Sequence, residues 1–209
     1  MIRIVLLDPH PVAQKGFKAF FKKTDHIEVV QTFSKVEQLF DFLNEEKVDI
    51  VFTEMELKDG SPVETVRRIK SLYPNTLILV FTSLKETVYG LSILRAGARG
   101  FLSKEISGAT MIEAIEKVYN DGYHITSNFA NQINKNIDLQ RPRNAYGTLS
   151  SREIEVLKYL VEGKKNIEIA AALKINQKTV NTYKSRLMKK LEVDNSSDLY
   201  QQAFNFELI

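Results

Sequence analysis

The first 122 residues alternate short apolar runs with amphipathic stretches. Ile2–Leu7 is apolar apart from Arg3, the pattern of a strand buried on both faces. Residues 11–23 then place Val12, Phe17, Phe20 and Phe21 at helical spacing. The alternation repeats with a strand over 28–32, a helix over 36–43 and a buried strand over 49–53. Lys58-Asp59-Gly60 reads as a turn. Ser61-Pro62-Val63-Glu64 joins a Ser cap, a proline in the first turn and an acid three residues on, so a helix starts there and runs to Leu72. A strand over 76–81, a helix over 85–95, a short strand over 100–102 and a helix over 107–120 ended by Gly122 complete the region. Five strands alternating with five helices predict a parallel sheet covered on both faces. Right-handed crossovers narrow this to a flavodoxin-like, doubly wound α/β fold. Ligand chemistry in such sheets sits at the carboxyl ends of the strands, here Asp8-Pro9, Glu54, Thr82-Ser83 and Lys104.

The strand pattern stops in the second half. Residues 127–147 are rich in Asn, Gln and Arg with Pro142 among them, a polar linker. Four helical segments follow. Ser150-Ser151-Arg152-Glu153 is a second capping box, opening a helix through Leu160 with Ile154, Val156, Leu157 and Leu160 as its apolar stripe. Residues 166–173 form a compact, Ala-rich helix, Asn176 caps a longer one over 178–191, and 196–206 close the chain. A short helix, the turn Lys174-Ile175-Asn176 and a longer basic helix make a helix-turn-helix. The expected division is an α/β domain at 1–122, a linker at 123–146 and a small all-α four-helix domain at 147–209.

Composition adds constraints. The chain has 209 residues, 44% hydrophobic and 26% charged, the balance of a globular protein with room for two domains. No apolar run approaches the length of a membrane span, and Asp8 and Pro9 interrupt the first hydrophobic run too early for a secretory signal. Cysteine is absent and only His10, His26 and His124 are present, leaving little material for a metal site and fitting a reducing cytoplasm. The net charge is only +3, but residues 169–191 carry Lys174, Lys178, Lys184, Arg186, Lys189 and Lys190 without one acid. Solvated helix faces usually mix both signs. That strip suits a polyanion.

Both halves together resemble bacterial response regulators of the NarL/LuxR (FixJ) type. IRIVLLDPHPVAQKGF, DIVFTE and LVFTSLKETVYGLSILRAGARGFLSKE carry the likeness in front, and LSSREIEVLKYLVEGKKNIEIAAALKINQKTVNTYKSRLMKKLEV carries it behind. The resemblance implies a phosphoacceptor pocket, but an atypical one. Asp8 matches the first metal-binding acid, whereas Pro9 takes the place of the second. Glu54 stands where the phosphoacceptor aspartate belongs. Thr82 and Lys104 match the residues that contact the phosphoryl group, and Phe101 matches the switch aromatic. The loop from Met55 to Gly60 is about two residues shorter than the family's usual one.

Those replacements oppose phosphoryl transfer. Magnesium needs oxygen ligands in near-ideal geometry, and proline offers none. Glutamate's extra methylene displaces the attacking oxygen and loses the in-line approach. Glu54 then either mimics a phosphoryl group with one charge, against about −1.5 to −2, or forms an ordinary buried polar cluster with Asp8, Thr82 and Lys104. His10, between two prolines, reads as a loop residue.

For the helix-turn-helix, Asn181, Thr182 and Ser185 share one face at helical spacing, and Asn and Thr suit base edges. The resemblance places base-facing side chains at the same positions. Lys178, Thr179, Tyr183, Lys184, Lys189 and Lys190 are the expected phosphate contacts, while Glu153 is expected to cap. The leading expectation is a cytoplasmic, non-enzymatic transcription regulator that binds double-stranded DNA as a homodimer, independently of aspartyl phosphorylation and without a cofactor. The alternative is a pseudo-receiver that heterodimerises with a conventional regulator and changes its promoter choice. A flavoprotein is disfavoured, because no Gly/Ser/Thr-rich phosphate loop follows the first strand.

Overall fold

The N-terminal apolar run forms β1 (Ile2–Leu7), with Ile4 through Leu7 fully buried. It belongs to a computed structural model that describes residues 1–127, 130, 149–191 and 193–205 in two compact units. In chain order, α1 (Pro11–Phe21), β2 (Ile27–Phe33), α2 (Val36–Glu45), β3 (Ile50–Thr53), α3 (Pro62–Leu72), β4 (Leu77–Thr82), α4 (Glu86–Ala96), β5 (Gly100–Ser103) and α5 (Gly108–Asp121) follow. The sheet order is β2-β1-β3-β4-β5 and every pairing is parallel. That is the flavodoxin-like order expected from the alternation. Phe17 of α1 packs edge-on against Phe52 of β3 at a centroid distance of 5.0 Å, in a core shared with Leu6, Leu79, Phe81 and Ile115. Burying each such side chain contributes about 1.5–3 kcal/mol.

Element ends differ from the sequence reading by one or two residues where local hydrogen bonds intervene. The helix expected over 11–23 stops at Phe21, whose carbonyl accepts from both the N–H and the hydroxyl of Thr24. Ser61 caps α3 through the Glu64 N–H, and Gly122 closes α5 in the left-handed region at φ 85°. Residues beyond Gly122 stay on the sheet: the His124 N–H donates to Arg99 O at 2.8 Å, and His124 bridges Gly100 in parallel. A Cβ on Gly100 would lie 2.7 Å from both His124 O and Leu79 Cδ2, so only glycine permits that approach. Apart from residues 123–127 and 130, the linker expected over 123–146 lies outside the described residues.

The second unit contains α6 (Ser151–Val161), α7 (Asn166–Leu173), α8 (Gln177–Leu191) and α9 (Ser196–Asn205). Phe206, expected in the last helix, lies outside the described residues. Val156, Leu157, Leu160, Ile169, Val180, Leu187, Leu191 and Leu199 are buried. Ser150 and Glu153 form the complete capping box anticipated at the start of α6. The α7–α8 turn bends through Lys174 at φ 53°, and Asn176 Oδ1 accepts the Thr179 N–H at 2.7 Å. Ile154 is only half-buried, and Glu153 takes the buried position instead. Among the described residues, no helix is long and apolar enough to cross a membrane.

Candidate functional site

Strand register gathers the sheet's polar residues. β1 pairs Leu7 with Thr53, β3 pairs Thr53 with Val80, and β4 pairs Thr82 with Ser103. Ladder-like bonds extend one residue further: Asp8 N–H donates to Phe33 O, Glu54 N–H to Leu7 O and Lys104 N–H to Thr82 O, all at 2.8–2.9 Å. Asp8, Glu54 and Lys104 therefore emerge side by side at the carboxyl edge. Lys104 Nζ donates to Asp8 Oδ2 at 2.7 Å and pairs with Glu54 Oε2. Asp8 is fully buried, Glu54 is 2% exposed and the Lys104 side chain 21%.

Each carboxylate also has its remaining oxygen engaged. Asp8 Oδ1 accepts the His10 N–H at 2.8 Å and lies 3.0 Å from His10 Nδ1. Glu54 Oε1 accepts the Met55 N–H at 2.6 Å and the Glu56 N–H at 3.3 Å. Burial pushes the Lys104 ammonium towards losing its proton, but hydrogen bonds and charge from Asp8 and Glu54 outweigh that and hold it above the ordinary lysine value. The cation is fixed between two anions.

Pro9, Thr82 and Phe101 are buried, and their side chains make no hydrogen bond to Asp8, Glu54 or Lys104. Thr82 Oγ1 accepts from the Leu84 N–H at 3.3 Å, and Glu54 makes no hydrogen bond to it. His10 reaches Asp8, and Gln14 Nε2 donates to Asp8 O at 2.6 Å. Sequence reading missed both; His10 at the start of a helix two residues beyond the acid was the available signal. The donor set does not fit a magnesium ion. Asp8 and Glu54 direct their oxygens at Lys104, His10 and backbone amides, and Pro9 supplies no oxygen from its side chain.

The second candidate surface lies on α8. Lys178, Asn181, Thr182, Ser185 and Lys189 are exposed, with Thr179, Tyr183 and Lys184 half-buried. The Thr179 hydroxyl is drawn into the cap, donating to Asn176 Oδ1 at 2.9 Å, and the Thr182 hydroxyl donates to Lys178 O at 3.0 Å. Lys190 is also exposed, and its Nζ donates to Glu153 Oε2 at 2.7 Å. Asn166 Nδ2 donates to Asn181 Oδ1 at 2.7 Å, a pairing that no sequence signal announced.

Glu153 is 3% exposed yet charged. Burial raises its affinity for a proton, but the Lys190 ammonium and the N–H and hydroxyl of Ser150 prevail and hold its carboxyl below the usual glutamate value. A depressed folded-state value stabilises above the unfolded pKa and is lost as pH falls through the folded one. Glu153→Gln, which can still cap through its amide oxygen but loses the charge facing Lys190, should cost about 1 kcal/mol at neutral pH. Thermal melts of the full chain should show that this deficit shrinks on acidification. A deficit independent of pH would contradict the ion pair.

Comparison with known proteins follows the same two-part division. Residues 4–116 match the response regulator receiver domain family, and residues 147–203 match bacterial regulatory proteins of the luxR family. The chain is 27% identical to the oxygen regulatory protein NreC of Staphylococcus carnosus (strain TM300), covering 100% of this chain and 99% of that protein. It is also 27% identical to the response regulator UvrY of Escherichia coli (strain K12), over 100% and 96% of the respective chains. A solved structure of two RcsB dimers bound to two parallel DNAs shares the fold, with a TM-score of 0.70 at 21% identity over 98% of both chains.

Proposed function

Because the chain belongs to the response regulators, with a receiver domain ahead of a LuxR-family domain, we propose that it is a sequence-specific transcription regulator whose receiver operates without aspartyl phosphorylation. The observation that carries this reading is Lys104 held between Asp8 and Glu54, with the other oxygen of each carboxylate also engaged. The cation that would meet an incoming phosphoryl group is already neutralised. The residue at the acceptor position is a glutamate held by the N–H groups of Met55 and Glu56, and Pro9 removes a metal ligand. Glu54 pairs with Lys104 beside Asp8 but makes no hydrogen bond to Thr82, which supports a buried polar cluster of Asp8, Glu54 and Lys104 without Thr82.

The acting domains are a pseudo-receiver at 1–122, a linker at 123–146 and a DNA-binding domain at 147–209, working in the cytoplasm. α8 enters the major groove with Asn181, Thr182 and Ser185 towards the bases. Lys178, Thr179, Tyr183, Lys184, Lys189 and Lys190 face phosphates. A single helix-turn-helix makes few contacts, so two copies on a dyad-related site supply the specificity. The dimers in the RcsB structure support this reading by analogy. Selection from a random duplex pool, followed by sizing of the complex, tests it. Two half-sites bound by two chains are expected, whereas one half-site with a one-to-one complex would contradict the dimer.

Point variants separate the two kinds of contact. Lys184→Ala should weaken binding to every sequence and reduce the log–log salt slope by about 1. Asn181→Ala should relax preference at particular base pairs instead. Identical, sequence-independent effects in anisotropy titrations would show that the reading face is misplaced.

A further inference from the structure

Asn181 is the exposed amide on the α8 face, and one of its two polar ends is committed. Asn166, the first residue of α7, donates from Nδ2 to Asn181 Oδ1 at 2.7 Å, across 15 positions of sequence. The backbone on both sides of this bond is secured. Glu168 Oε2 accepts the Lys165 N–H at 2.7 Å at the start of α7, and Asn176 caps the first turn of α8. Val180, adjacent to Asn181, is fully buried, as is Ile169 on α7. The two amides therefore meet from anchored helices.

We propose that Asn166 is a specificity-determining positioning residue: it turns Asn181 so that its oxygen faces α7 and its NH2 faces outward. This rests on the DNA-binding reading above. An asparagine free to rotate suits adenine, accepting from N6 and donating to N7, which is the sequence-level expectation for Asn181. With Oδ1 directed at Asn166, the outward group is a donor. The matching major-groove edge is guanine, whose N7 and O6 are both acceptors. Adenine offers an acceptor at N7 but sets a donor, N6, beside it. The pairing thus converts a residue type associated with adenine into a reader of guanine, without Asn166 touching a base.

The decisive variant is Asn166→Asp, which can accept but not donate. It should draw the Asn181 NH2 inward and turn Oδ1 out, so that the preferred base at that one position becomes a donor, adenine N6 or cytosine N4. Asn166→Ala should free the amide and restore adenine or relax the position. The experiment is selection from a random duplex pool with wild type, Asn166→Asp, Asn166→Ala and Asn181→Ala, with circular dichroism confirming the helices of each. Wild type should enrich guanine about tenfold over adenine at one position per half-site. Asn166→Asp should reverse that ratio there, while every other position stays unchanged. Asn181→Ala should abolish the preference at the same position. A general loss of affinity in Asn166→Asp, from its added negative charge, does not move base preference and so does not imitate the effect. Unchanged preference in both Asn166 variants, or adenine preferred by wild type, would overturn the proposal while leaving DNA binding intact. No sequence enrichment by wild type would refute the DNA-binding reading itself, and the proposal with it.

Discussion

Lys104→Met should destabilise the sheet unit by about 3–5 kcal/mol at neutral pH, the usual consequence of leaving buried charges unpaired. The variant retains Asp8 and Glu54, both almost wholly buried, and removes the cation they share. Two desolvated like charges then lie side by side without a counter-charge, which buried sites tolerate poorly. Wild type behaves differently. Its Lys104 value is raised, so the lysine's contribution is complete below the ordinary lysine range and lost only as pH climbs through the higher folded value. Lys104→Arg, which keeps the charge, should lose much less than Lys104→Met. Urea unfolding across pH measures all three proteins. A loss under about 1 kcal/mol in Lys104→Met would mean that Lys104 does not hold the carboxylates in place.

Restoring phosphoryl transfer should require at least two substitutions. Intact-mass spectrometry after incubation with an acyl phosphate and magnesium should show no added phosphoryl group on wild type. Glu54→Asp alone should also remain unlabelled, because Pro9 still lacks a carboxylate for the metal and Asp8 Oδ1 is engaged by His10. Pro9→Asp alone should fail because the longer Glu54 side chain misplaces its oxygen and stays bound to the Met55 amide. Pro9→Asp with Glu54→Asp is the smallest change expected to give any labelling. Labelling of Glu54→Asp by itself would show that Pro9 matters less than the metal geometry suggests.

Local signals place the beginnings and ends of elements to within one or two residues. Ile50–Thr53 and Leu77–Thr82 are legible because strands buried on both faces are almost purely apolar. The Ser150–Glu153 box is legible because both partners lie within one helical turn. The edge residues Asp8, Glu54 and Lys104 follow from the fold rule for parallel sheets. Pairings between elements were not legible, because no periodicity links their members. Glu153 and Lys190 lie 37 residues apart, so nothing local announces that the exposed Lys190 also pairs with Glu153. Asn166 and Asn181 meet only once the turn at Lys174 is built. His10 is the loop residue that its two flanking prolines suggest, but that its N–H and ring both meet Asp8 is visible only in the folded chain.

The central claim is that the receiver's chemistry is closed while the DNA-binding surface is active. Fluorescence anisotropy of the full chain on its selected duplex, with and without prior treatment with an acyl phosphate and magnesium, tests it most directly. Steeply salt-dependent binding is expected in both samples, with Kd values within about twofold of each other. Binding that appears only after treatment, accompanied by one added phosphoryl mass, would contradict the account.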